Sequence, residues 1–103
     1  MGSVPSHDSE EISKEGQIAD MIGRLRKGGD WSVHVLPYGS SGSQVEQSLI
    51  GSSDKGDNVE TVVKEAFQIA KERRLSVFAD YFDEDIGERR WTAFGSYDVQ
   101  RGQ

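Results

Sequence analysis

The chain has 103 residues, with 12 Lys and Arg against 18 Asp and Glu, a formal charge of −6 and no cysteine. That length holds one domain, since single domains typically run to ~100–150 residues. The composition excludes a disulfide scaffold, a thiolate metal site and a thiol nucleophile. At 34% hydrophobic and 29% charged, with four Phe, three Tyr and two Trp, the chain is polar but carries enough apolar material for a small α+β core.

Residues 1–12 are rich in Ser, Glu and Asp and hold Pro5, with no apolar period. They read as an N-terminal tail ahead of a domain over 13–100, with residues 101–103 as a frayed end. The tail has no basic run followed by an apolar one, so no secretory leader is expected, and the cytoplasm is the default compartment. No stretch approaches the ~18 apolar residues of a membrane span.

The first helix is expected over Ser13 to Lys27. Ile18, Met21, Ile22 and Leu25 recur with the helical period. Arg24, Arg26 and Lys27 suit the last turn, and Gly28-Gly29 stops it. From Asp30 to Leu36 the chain alternates, with Trp31, Val33 and Val35 on one face and Ser32, His34 and Leu36 on the other. Pro37 ends this strand. A Gly/Ser turn over Gly39 to Ser43 leads to a weaker strand from Gln44 to Gly51.

The second helix is marked by Val59, Val62, Val63, Ala66, Ile69 and Ala70, with Phe67 on the flank. Asp57 followed by Glu60 reads as a capping box with Asp57 as N-cap. So wide an apolar stripe belongs on a sheet. Leu75 to Phe82 alternates again, Asp83 to Glu88 makes a charged turn, and Arg89 to Val99 is a long strand. Gly95 in mid-strand predicts a bulge or a close backbone approach.

The order is helix, hairpin, helix, hairpin. The halves align at an offset of about 44 residues, Ile18 with Val62, Ile22 with Ala66, Leu25 with Ile69 and Val33 with Val77. The economical architecture is α+β: a four-stranded antiparallel sheet with both helices packed on one face. If Trp31, Val33, Val77, Ala79, Trp91 and Ala93 face the helices, strand parity puts His34, Leu36, Phe78, Phe82, Arg90 and Phe94 on the other side. A bulge at Gly95 would swap Phe94 relative to Trp91. An open aromatic face of this kind is a docking surface for a protein, a second copy included.

The turn Asp83, Glu84 and Asp85 is a second candidate contact, for a partner with a basic patch. Most of the charge of −6 lies in residues 30–103, because Asp8, Glu10, Glu11, Glu15 and Asp20 nearly balance Lys14, Arg24, Arg26 and Lys27. Such a field attracts basic proteins and repels nucleic acid and membrane surfaces.

Chemical motifs are weak. The acidic turn fails the calcium-loop pattern, since from Asp83 the glycine comes one position early and Phe94 stands where the glutamate belongs. No glycine loop carries a phosphate-binding signature. Ser32 and His34 share a strand face without an oxyanion hole, so a surface histidine is expected. Arg90, Ala93, Phe94 and Tyr97 match the RNP1 pattern, while Trp91, Thr92 and Gly95 depart from it.

The reading is a small acidic, non-enzymatic binding or regulatory protein without a cofactor or metal. Such a chain suits a phage- or plasmid-borne inhibitor or a bacterial accessory protein. The alternative is single-stranded nucleic-acid binding through the sheet-face aromatics. No motif places the chain in a family.

Overall fold

A computed structural model describes residues 6–40 and 48–98, with residues 6–13 by backbone alone. The elements are α1 (Ser6–Gly28), β1 (Trp31–Leu36), β2 (Leu49–Ser52), α2 (Val59–Arg73), β3 (Ser76–Asp83) and β4 (Glu88–Ser96). The four strands form one antiparallel sheet in the order β2-β1-β3-β4. Both helices pack on the same side of it, which is the expected α+β architecture.

Several boundaries differ from the sequence reading; β4, expected over Arg89 to Val99, runs from Glu88 to Ser96. Helix α1 starts at Ser6, so residues 6–12, expected as tail, continue the helix. Once a helix is nucleated, each added residue costs little, and an apolar stripe is not needed to extend it. The expected strand over 44–51 begins at Leu49, and its first four residues, like 1–5 and 99–103, lie outside the described residues.

The N-cap of α2 also moves. Asn58, not Asp57, caps the helix: its Oδ1 accepts the Thr61 N–H at 3.0 Å. The Asp57 carboxylate instead accepts the Ser52 N–H at 3.1 Å and closes the β2–α2 connection. A short acceptor at either position could cap the helix, and the backbone path out of β2 decides which one does.

The core lies between the sheet and the helices. Met21 and Leu25 of α1 and Val63, Ala66 and Ala70 of α2 are wholly buried against Val33, Val77 and Ala79. Each fully buried Val or Leu contributes about 1.5–3 kcal/mol of transfer free energy, so this layer supplies most of the driving force. Close approaches need glycine at several places, Gly51 against Val62 among them. A Cβ on Gly28 would overlap the Phe82 carbonyl oxygen, and one on Gly95 would lie 2.5 Å from the Phe67 ring. The close approach expected at Gly95 is therefore present, and a bulge lies beside it, between Val77 and Phe78 in the pairing.

The sheet order is symmetric about its central β1–β3 pair. That pair sets His34 opposite Phe78, the two residues that the sequence offset equates. The two hairpins repeat one register, Val33 opposite Gly51 and Val77 opposite Gly95.

Helix α2 ends on Arg74, which adopts φ 59° and ψ 57°. This is the left-handed region, where a side chain costs roughly 1 kcal/mol and glycine costs none. Arg74→Gly should raise the stability by about 0.5–1 kcal/mol, read as a higher urea midpoint at unchanged slope. Gly28→Ala should lower it by about 1–3 kcal/mol, because a backbone oxygen cannot move aside.

Candidate functional site

The outer face of the sheet is built by pairing. Residues directly opposite each other in a sheet share a face. His34 pairs with Phe78, and Asp80 with Trp91, so Trp91 stands on the outer face with Phe78 and His34. The expected placement of Trp91 on the helix side is thus corrected, and Ala93, paired with Phe78, moves with it. The cause is the β3–β4 turn: four residues, 84–87, join Asp83 to Glu88, and this count fixes which parity of β4 meets which parity of β3.

Phe94 is corrected in the opposite sense. It is the residue left over at the bulge, between Ala93 opposite Phe78 and Gly95 opposite Val77. Its ring packs against the core, 5.6 Å from Tyr81. Arg90 also belongs to the helix side, opposite Tyr81, where its Nη1 lies 3.5 Å from the Asp83 carboxylate.

The outer face is closed at its centre. Trp91 stacks on Phe78 with ring centroids 5.0 Å apart and an interplanar angle of 11°. Its indole Nε1 donates to the Ser40 carbonyl at 3.2 Å. Phe78 is 4% exposed, Leu36 8% and His34 2%. The surface histidine expected at position 34 is therefore a buried one. Its Nε2 is 2.8 Å from the Ser32 hydroxyl, its Nδ1 3.4 Å from the Ser48 hydroxyl, and its ring lies 5.3 Å from Trp91. A buried imidazole needs such partners, because an unmet ring nitrogen costs ~1–3 kcal/mol. Ser40 and Ser48, at the described ends of the β1–β2 connection, thus both meet this face.

Of the residues expected to form an open patch, Phe82 alone stays half-buried on the outer side. Beside it Arg89 holds two carboxylates, Asp30 at 2.8 Å and Asp80 at 3.1 Å.

The acidic turn is a separate place. Asp83 is 4% exposed and is its internal fastening: Oδ1 accepts the Asp85 N–H at 2.9 Å, and its carbonyl accepts the Gly87 N–H at 2.7 Å. Gly87 turns the chain at φ 72°. Glu84, Asp85 and Glu88 are exposed around Ile86, which is 53% exposed. Asp85 meets Lys27 of α1 at 2.8 Å. By hydrogen bond and charge the Lys27 ammonium holds the Asp85 carboxyl below its ordinary value, and Asp85 raises the Lys27 ammonium in turn.

Sequence reasoning missed Trp91 and Ile86. The signal for Trp91 was the count of residues in the 84–87 turn; that for Ile86 was one apolar residue inside a polar turn.

Among the described residues no group of three or more His, Cys, Asp or Glu gathers as for a metal, and no helix is long and apolar enough to cross a membrane. The fold defines the class: a two-layer α+β domain with the order α-β-β-α-β-β. No protein-family model matches the chain, and neither a curated protein nor a solved structure does.

Trp91→Ala should cost about 2–4 kcal/mol, since it uncovers Phe78 and frees the Ser40 carbonyl. Calorimetry checks this, and a loss below half the lower figure contradicts a closed outer face. In an NMR titration the Asp85 carboxyl should ionise below its ordinary value of 3.8, and Lys27→Met should raise it. A lowered carboxyl pKa means that the pair's contribution is present above the unfolded value and is lost as pH falls through the folded one.

Proposed function

We propose that this chain is a small non-catalytic binding protein that acts by protein–protein contact through the turn 84–88. The observation that carries this is Ile86, held half out of the surface between Glu84, Asp85 and Glu88 on a turn that Asp83 fastens. An exposed apolar residue in an acidic turn loses little by being covered, and the neighbouring charge adds long-range attraction to a basic partner. Preorganisation of the turn spares the ordering cost that a loose loop would incur on binding.

The sheet-face version of the contact loses its support, because Phe78 and Phe94 are used inside the molecule. The same closure weighs against base stacking. Arg89, the cation nearest that face, is already neutralised by Asp30 and Asp80. A non-catalytic reading is favoured by the Ser32–His34 pair, the nearest approach to a nucleophile and its base. It lies on a paired strand with the imidazole buried. We place the protein in the cytoplasm, in keeping with its lack of cysteine.

A photo-crosslinking residue at position 86 tests the reading in the native cell. It should give a discrete adduct that Glu84→Lys/Glu88→Lys reduces at least about tenfold, the factor set by ~1.4 kcal/mol. The same probe at Ala93 should give none. Equal adducts from both positions, or an adduct indifferent to the charge reversal, reject the turn as the contact.

A further inference from the structure

The end of the sheet opposite the turn holds the complementary chemistry. A shallow cleft of about 300 Å³ opens there between α2 and the ends of β1 and β2, lined by Leu36, Leu49, Ile50, Ile69 and Leu75 together with the polar Ser48 and Arg73. Leu49 is 37% exposed. Lys71 and Arg74 are exposed in the same last turn of α2 and the residue after it.

These three cations differ from most of the others. Arg24, Arg26, Lys27, Lys64, Arg89 and Arg90 are each tied to a carboxylate of this chain. Lys14 reaches the Ser96 carbonyl. Among the described residues Lys71, Arg73 and Arg74 have no carboxylate partner, and with Lys55 they are the cations left in that state. Among the described residues, most of the cations without a carboxylate partner thus gather at one pole of a chain of charge −6. The helix dipole favours cations at a C-terminus. It does not favour an arginine at φ 59°, where glycine is the relaxed choice.

We propose that this cleft receives the acidic turn of a second copy, Ile86 entering the apolar lining while Glu84 and Glu88 meet Lys71, Arg73 and Arg74. The inference rests on the reading of the turn as the contact surface and names its partner. The two surfaces cannot meet within one chain. The cleft lies where Leu36 pairs with Ser76, the turn beyond the Trp31–Tyr81 pair, and the strand between them spans about 25 Å. The contact therefore joins different copies, either head to tail in a row or ring, or reciprocally in a two-fold pair.

Sedimentation velocity of the whole chain tests this. At about 0.01 M salt, where the screening length is ~30 Å, the mean mass should rise with concentration above the 11.4 kDa of one chain, and about 1 M salt should abolish the rise. Lys71→Glu/Arg73→Glu and Glu84→Lys/Glu88→Lys should each remain single chains, with circular dichroism confirming that both fold. Mixed together, they should associate again, because each supplies the charge that the other has reversed. A wild type that stays a single chain up to about 1 mM overturns the proposal, as do variants that associate like the wild type or a mixture that does not recover. If the wild type is a single chain while position 86 still gives its charge-dependent adduct with a different protein, self-association fails and the turn as contact surface stands.

Discussion

The buried carboxylate of Asp83 organises one end of this molecule. By accepting the Asp85 amide, and with its carbonyl holding Gly87, it closes a turn of four residues and so fixes where β4 begins to pair with β3. A side chain on a strand has only two directions to point. The register set at that turn is therefore inherited by every residue as far as the bulge. Trp91 lands on the outer face because of it, and Tyr81 faces the helices with Arg90 beside it.

The bulge then reverses the inheritance. Phe94 is the extra residue and turns to the core, while Gly95 admits the Phe67 ring. Two aromatic residues three positions apart on one strand thus close both sides of the sheet. Trp91 lies over Phe78 outside, and Phe94 lies against Tyr81 inside. A small sheet covered by two helices has little apolar area to spare, so using both faces this way strengthens a domain of marginal size. It also leaves few places for a partner. The two poles of the strands differ in charge, acidic with exposed Ile86 at one and basic beside a cleft at the other. The surface ion pairs between them contribute little stability, and their effect is to silence most of the cations.

Much of the architecture was legible because it follows from local periodicity. The stripe from Val59 to Ala70 requires a helix against a sheet, and the alternation of Trp31, Val33 and Val35 puts those three side chains together whatever the partner strand. Gly95 signalled its close approach because no other residue lacks a Cβ. The offset between the halves equates His34 with Phe78, but their pairing at the centre of the sheet came only from the tertiary structure. The helix cap was less legible, since Asp57 and Asn58 can both accept an amide and the exit from β2 chooses between them.

The candidate site was less legible still, and for one reason. Periodicity says which residues of a strand share a face, but not which face. That depends on the pairing of distant residues, on a turn length and on a single bulged residue. The sequence by itself determined the element order, the helix-facing stripes, the acidity and the absence of thiol chemistry. Tertiary structure alone decided that His34 and Phe78 are covered, that Phe94 turns inward, and that Lys71, Arg73 and Arg74 find no carboxylate among the described residues. Those outcomes are properties of contacts between segments far apart in the chain, and a one-residue change in register reverses them.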